Sequence, residues 1–463
     1  MASITSSGIG SGLDIQGLVQ KLIAAERQPT ELRIARQEAQ VQSRISAFGS
    51  LKSSLSTFND QLQKMNTLNS FLTRSASSAD ETLLTVAVDE KALPATYNVE
   101  VSQLAQAQKL QSGAFASSAD VLGTGTLSIA VGANSFNVTI DSTNNTLAGI
   151  RDAINDAVDN TGVAATIVNG DGGSFLILSG ENTGSDQSMI ITQSGGDGGL
   201  SVLEYDPPNA LNSLTEISQA LDAQIMIDGF AVTSGSNTVT GAIDGVTLNL
   251  VAASVGVTTA VNVSNDTAAV SKQISDFVDS YNVLIDTFDT LTSFDADTKS
   301  AAPLLGDSSV RNIREQLRRV MSGSVTDIAA SFKTLNEIGI DTAIDGKLTL
   351  DSVKLDAVLA TEFSKVGQLF ANSDGFAVSL VPVIDHYIDT TDGLIAARVS
   401  GLDSKIDSFA KQREALDGRI ASLQTRLLRQ FNALDSLVGQ LTSTSNFLAQ
   451  QLQNLPSILK SRN

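Results

Sequence analysis

Few residues of this 463-residue chain have the types and spacing for covalent chemistry. There is no cysteine, so disulfides, thiolate metal sites and cysteine nucleophiles are excluded. The one histidine, His386, sits between Asp385 and Tyr387, and no second histidine completes a triad or a metal shell. Asp295 and Asp297 lie in FDADTKS, which lacks the following glycine and the distant glutamate of a calcium loop. GIGSG at 8–12 is glycine-rich, but it is not a G-x-G-x-x-G motif and follows no strand, so it reads as a flexible lead. Asn137-Val-Thr139 and Asn262-Val-Ser264 fit the glycosylation acceptor pattern, a short match that arises often by chance. The carboxylates are scattered singly and form no acid–base pair. No enzyme is expected, and no cofactor or metal is called for.

What the spacing does support is apolar association along helices. In SGLDIQGLVQKLIAAERQP (11–29), Leu13, Ile15, Leu18, Val19, Leu22 and Ile23 gather on one side of a short amphipathic helix. Asp14 can cap it and Pro29 is expected to end it. A lone helix of that length is marginal in water, so its apolar face needs a partner. Val41, Ile45, Phe48, Leu51, Leu55, Phe58, Leu62 and Met65 continue with a coiled-coil-like seam. A second seam runs from Leu402 through Ile406, Phe409, Arg413, Leu416, Ile420, Leu423 and Leu427. It resumes through Phe431, Leu434, Val438, Leu441, Ser445, Leu448, Leu452 and Leu455. Two four-residue steps in a row at Leu427–Phe431 form a stutter, which locally unwinds a supercoil and is a place for the seam to change partners.

Between these helices the chain is turn-rich. Residues 161–210 hold ten glycines and Pro207–Pro208, whereas 30–74 hold one glycine and no proline. Strand-like alternation appears at 81–89, 95–105, 126–131, 136–140, 163–168 and 174–178 and resumes over 225–263. Thr146 opens a helix with Leu147, Ile150, Ile154 and Val158 on one face, closed by Gly162. The order implies a β domain split by an inserted β-rich domain. Helical periodicity returns at 266–291, with Val270, Ile274, Phe277, Val278, Tyr281 and Ile285 on one side, and again at 309–321 and 351–360.

A net charge of −20 argues against nucleic-acid partners, which need Lys and Arg against phosphate. No run of 18 apolar residues occurs, so no membrane insertion is expected. No basic residue precedes Lys21 and no apolar h-region follows, so no cleavable secretory signal is expected.

The opening Gly12-Leu13-Asp14 and Glu26-Arg27-Gln28-Pro29, either side of an amphipathic helix, resemble the flagellar filament capping (hook-associated protein 2) family. Residues 223–251, 266–286 and 430–452 resemble that family's head β segment, its return into the helices, and its C-terminal helix. Residues 123–157 are similar to a repeat shared with flagellins and hook proteins. The resemblance implies an α+β, multidomain fold in which coiled-coil N- and C-terminal helices form a leg and two mainly β head domains lie between them. The expected divisions are a flexible N-terminal segment with the short helix at 1–28, a leg at 29–74 plus 266–430, and a head at 75–112 plus 210–265. An outer head at 113–209 and a C-terminal coiled-coil segment at 431–463 complete the division.

The implied role is a ring at the distal tip of the filament that retains exported flagellin, promotes its folding and insertion, and prevents its leakage. A pentamer is the expected ring, with hexamer and tetramer as alternatives. The implied partners are flagellin, the flagellar type III export apparatus, and an export chaperone. The chaperone would mask the C-terminal seam at Phe431, Leu434, Val438, Leu441, Phe447, Leu448 and Leu452, while the N-terminal face would meet the filament or neighbouring subunits. The protein would be secreted, and heads of some members act in adhesion. Another axial protein (a flagellin or hook–filament junction protein) or a coiled-coil surface adhesin are the rival readings.

Overall fold

A computed structural model of the chain describes residues 12–453 apart from 327 and 329. Among them are seven α-helices: α1 (Ile15–Gln63), α2 (Leu147–Asn155), α3 (Thr267–Thr292), α4 (Ser308–Met321), α5 (Ser352–Ala371), α6 (Phe376–Ile388) and α7 (Leu394–Gln453). Helices dominate both ends, and antiparallel sheets fill the middle. The fold is α+β and multidomain, with two compact units: residues 69–271, and the flanking stretches up to Leu68 and from Lys272.

In the helical unit, α1 buries Ile34, Val41, Phe48, Leu55 and Leu62, spaced by sevens, together with Leu51 and Phe58. Phe58 meets Phe277 and Tyr281 of α3 at ring-centroid distances of 5.7 and 5.6 Å, and Phe277 meets Phe370 of α5 edge-on at 5.5 Å. Such offset and edge-on aromatic contacts add to the burial of apolar surface.

Pro29 does not end the first helix. α1 runs 49 residues through it. A proline inside a helix removes one backbone bond and costs about 3 kcal/mol. Pro29 is exposed, and apolar side chains are buried on both sides of it, Ile15 and Val19 before and Ile34 and Val41 after, which holds the helix continuous. Consequently 1–28 and 29–74 are not separate along the described chain. Likewise α7 passes through 430–431 without interruption. Residues 69–74 and 266–271 belong to the other unit, where Arg74–Ser78 is already a strand paired with Thr258–Asn265.

The β unit has two cores. The first lies between a five-stranded sheet and a three-stranded one. The larger sheet runs, in spatial order, Arg74–Ser78, Thr258–Asn265, Ala95–Gln103, Ala223–Ile227, Phe230–Ser234; the smaller runs Thr238–Ile243, Val246–Leu250, Leu84–Val88. Their alternation turns Val99, Val101, Ile225, Leu248 and Val261 inward. Val99 stands opposite both Ile227 and Thr259, which fixes the register.

The second core collects Ile129, Phe136, Leu178 and Ile191 from two further sheets against Leu147, Ile150 and Ile154 of α2. It begins at Leu110 and ends at Leu214, outside the expected 113–209, because Lys109–Gln111 and Thr215–Ser218 add short strands to one of those sheets. Strands of three and four residues show too little alternation to be read from sequence. Val158 is another correction. It is fully exposed, since α2 stops at Asn155, whose side chain turns away to bond the N–H and C=O of Ala165, each at 2.8 Å.

Candidate assembly surface

The residues with chemical potential do not converge. His386 is exposed on α6, stacked edge-on against Tyr387, and neighbouring Asp385 accepts a 2.9 Å hydrogen bond from Asn59 Nδ2. Asp295 Oδ1 accepts the N–H groups of Asp297 and Thr298 at 2.9 and 3.0 Å, and these bonds, that of Thr298 foremost, hold its carboxyl below the usual range. These bonds close a turn, and among the described residues no three His, Asp or Glu side chains gather as metal ligands. Asn137 and Asn262 are exposed within strands, and Asn262 Oδ1 accepts from Thr96 Oγ1 at 3.0 Å. Most of GIGSG lies outside the described residues.

The helix pair α1–α7 is built differently. Partners retreat along α7 as the chain advances along α1. Arg27 meets Asp417 at 2.9 Å, Glu38 meets Arg413 at 2.5 Å, and Phe48 shares a cleft with Leu402. The helices are therefore antiparallel. Arg413 occupies a seam position and reaches outward to Glu38, whose hydrogen bond and charge strengthen its hold on its proton. Leu402, Phe409, Leu416 and Ile420 are buried along α7.

Beyond Ile420 the environment changes. Leu423, Leu427 and Phe431 are half-buried, and from Gln440 to Gln453 every residue is exposed. By the antiparallel register, Ile15 lies level with the stretch around 429–436. The remainder of α7, from Asp435 to Gln453, then overhangs by about 27 Å at the helical rise. Val438, Leu441, Phe447, Leu448 and Leu452 project from it into solvent, as does Leu434 just before it, with Leu441 at 62% and Leu452 at 69% exposure. Seam position Leu455 lies outside the described residues. The structure thus divides the candidate residues. Of the N-terminal set, Ile15 and Val19 are buried, Ile23 is half-buried, and Leu13, Leu18 and Leu22 are exposed. Asp14 caps α1 by accepting from Gly17 N–H at 2.9 Å.

The exposed apolar ridge is thus continuous along α7 with a buried seam. The chain carries a family signature. Residues 11–108 match the family profile described as flagellar hook-associated protein 2 N-terminus, and residues 220–443 match its C-terminus. The chain belongs to the flagellar hook-associated protein 2 family. An A-type flagellar hook-associated protein 2 of Pseudomonas aeruginosa is 36% identical, covering 99% of both chains. The flagellar hook-associated protein 2 of Escherichia coli strain K12 is 35% identical over 98% of this chain and 99% of its own. The crystal structure of the D1-D2-D3 domains of the flagellar cap protein FliD from Escherichia coli superposes with a TM-score of 0.68 at 33% identity. It covers 77% of this chain and 99% of that one. The two profile matches of this family leave 109–219 between them, the stretch that builds the second β core.

Sequence reasoning missed the ion pairs that register the helices, Arg27–Asp417 and Glu38–Arg413. Their only signal is the charge flanking each seam, which sequence periodicity cannot pair. It also missed α6, an apolar helix holding Pro382 within it.

Proposed function

We propose that this protein caps the flagellar filament. Copies assemble through the helical unit into a ring at the filament tip, the leg is the α1–α7 pair with its neighbours, and the two β cores form the head. The ring retains exported flagellin beneath it, promotes its folding and insertion, and prevents its escape. The role is mechanical, so no catalytic constellation is required. Passage outward is by the flagellar type III export apparatus. Before export, a chaperone covers the distal ridge of α7, and after export the same ridge meets neighbouring subunits or the filament end. The observation that carries this reading is the overhang, a long apolar helix face left exposed in a chain of this family.

The test is a strain lacking the gene. Filaments are counted by electron microscopy, and flagellin is assayed in cell-free medium. Intact hooks without filaments and abundant monomeric flagellin outside the cell are the expected result, reversed by the wild-type gene. Normal filaments would overturn the reading.

A further inference from the structure

α4 buries Val310, Ile313, Leu317 and Met321 and turns a different face outward. That face carries Arg311, Arg314, Arg318 and Arg319, four arginines in nine residues of a chain with 30 basic against 50 acidic side chains. Together with Glu315 and Ser322 they line a shallow cleft of about 440 Å³. Arg314 donates to Asp289 at 2.7 Å, while Arg311, Arg318 and Arg319 are exposed and make no ion pair among the described residues. The negative end of the helix dipole accounts for Arg318 and Arg319 in the last turn but not for Arg311, near the first.

The complementary charge lies on α7. Asp407 and Glu414 share its outer stripe, roughly opposite the buried Phe409 and Leu416, and both are exposed and make no ion pair among the described residues, while Asp403, also exposed, stands at the rim of a cleft that includes Lys52 of α1. Between Asp403 and Glu414, Lys411 is the one cation on the same stripe. Arg311 and Arg318 are seven residues apart, as are Asp407 and Glu414, so each pair spans about 10.5 Å of helix.

We infer that the arginine ridge of α4 docks against the acidic stripe of α7 on a second copy of this chain. Because the two faces differ, the contact is heterologous and adds copies head to tail, a geometry that closes into a ring when the rotation permits. The contact rests on the proposed self-assembly of the cap and supplies one of its surfaces. It also orients encounter between chains that otherwise repel through their net charge of −20.

The test is sedimentation velocity on the full-length chain, at low salt and at about 0.5 M salt, where exposed charges are screened. R311E/R318E and D407K/E414K are each expected to weaken assembly at least tenfold, and the four changes combined to restore it to within threefold of wild type. High salt should weaken the wild-type assembly and strengthen each reversed variant toward it, because attraction and repulsion are screened alike. Unaltered assembly of R311E/R318E, or a combined variant as weak as the two-site ones, would overturn the contact while leaving the ring intact. A wild-type chain that stays monomeric at every concentration would overturn the ring and the contact together.

Discussion

The two halves of α7 obey one heptad rule and meet opposite environments. Leu402, Phe409 and Leu416 are buried at seven-residue intervals; Leu434, Leu441 and Leu448 keep the same interval and are exposed. The change falls around the stutter at Leu427–Phe431, at the level where α1 begins at Ile15. Apolar periodicity therefore identifies a face built for burial and says nothing of which molecule buries it. The proximal half has its partner within the chain. The distal half keeps the same apolar period and is exposed among the described residues.

The largest effect should come from emptying the proximal seam. Phe48 of α1 is 1% exposed and shares a cleft with α7, so Phe48→Ala should cost about 3–5 kcal/mol in urea unfolding of the helical unit, through lost transfer energy and the cavity left behind. The same kind of truncation on the distal ridge should behave otherwise. Leu441→Ser with Leu448→Ser removes little intrachain packing, since the two are 62% and 55% exposed, so the unfolding free energy should change by less than about 0.5 kcal/mol. Assembly should weaken at least tenfold, about 1.4 kcal/mol, by sedimentation. Equal destabilisation by both variants would abolish the distinction between the halves.

How far the sequence carried depended on element length and on who supplies the partner. Long periodic runs were legible. The seam at Val41–Leu62, the helix burying Val270, Ile274 and Phe277, and the hairpin around Ile129 and Phe136 are each present. Short strands such as Lys109–Gln111 were not, since three residues show no period. Pro29 misled because local propensity was set against 49 residues of tertiary packing, and packing prevailed. α6 was hidden for a related reason, with Pro382 inside it. In the candidate surface, the apolar residues were legible as a set, but their division into buried Ile15 and Val19 and exposed Leu441 and Leu452 depends on where two helices end in space.

Acid offers a finer separation. Residues 436–453 contain no ionisable side chain, so protonation leaves that part of the distal ridge unchanged. The β unit has several carboxylates held below their ordinary value by hydrogen bonds. Asp222, for example, accepts from Ser185 Oγ and N–H, each at 2.7 Å, with the hydroxyl the larger influence. A folded pKa below the unfolded value near 3.8 means that the stabilisation is fully present above that value and is lost as pH falls through the lower folded one. Asp222→Asn should therefore be less stable than wild type at pH 7, with the gap narrowing below about pH 4, in denaturant titrations across that range. A gap that widened on acidification would reverse the assignment.

The smallest effects belong to the ion pairs that register the proximal half. Arg27–Asp417 is exposed, with side chains 42% and 56% accessible, and Arg27 is shared with Glu31 at 2.8 Å. Glu38–Arg413 is more enclosed, at 30% and 40%. Solvent screens both, so double-mutant cycles in unfolding should give coupling of about 0–0.5 kcal/mol for the first and about 0.5–1 kcal/mol for the second. Both couplings should shrink in about 1 M salt, where the screening length is about 3 Å. If so, apolar contact holds the proximal helices together and the charges select their antiparallel register, which leaves the distal ridge with the adhesive part of that code and little of the selective part. A coupling above about 2 kcal/mol for Glu38–Arg413 would instead make charge a principal support of the pair. The distal half, uncharged from Ser436 to Gln453, would then differ from the proximal half in chemistry as well as in partner.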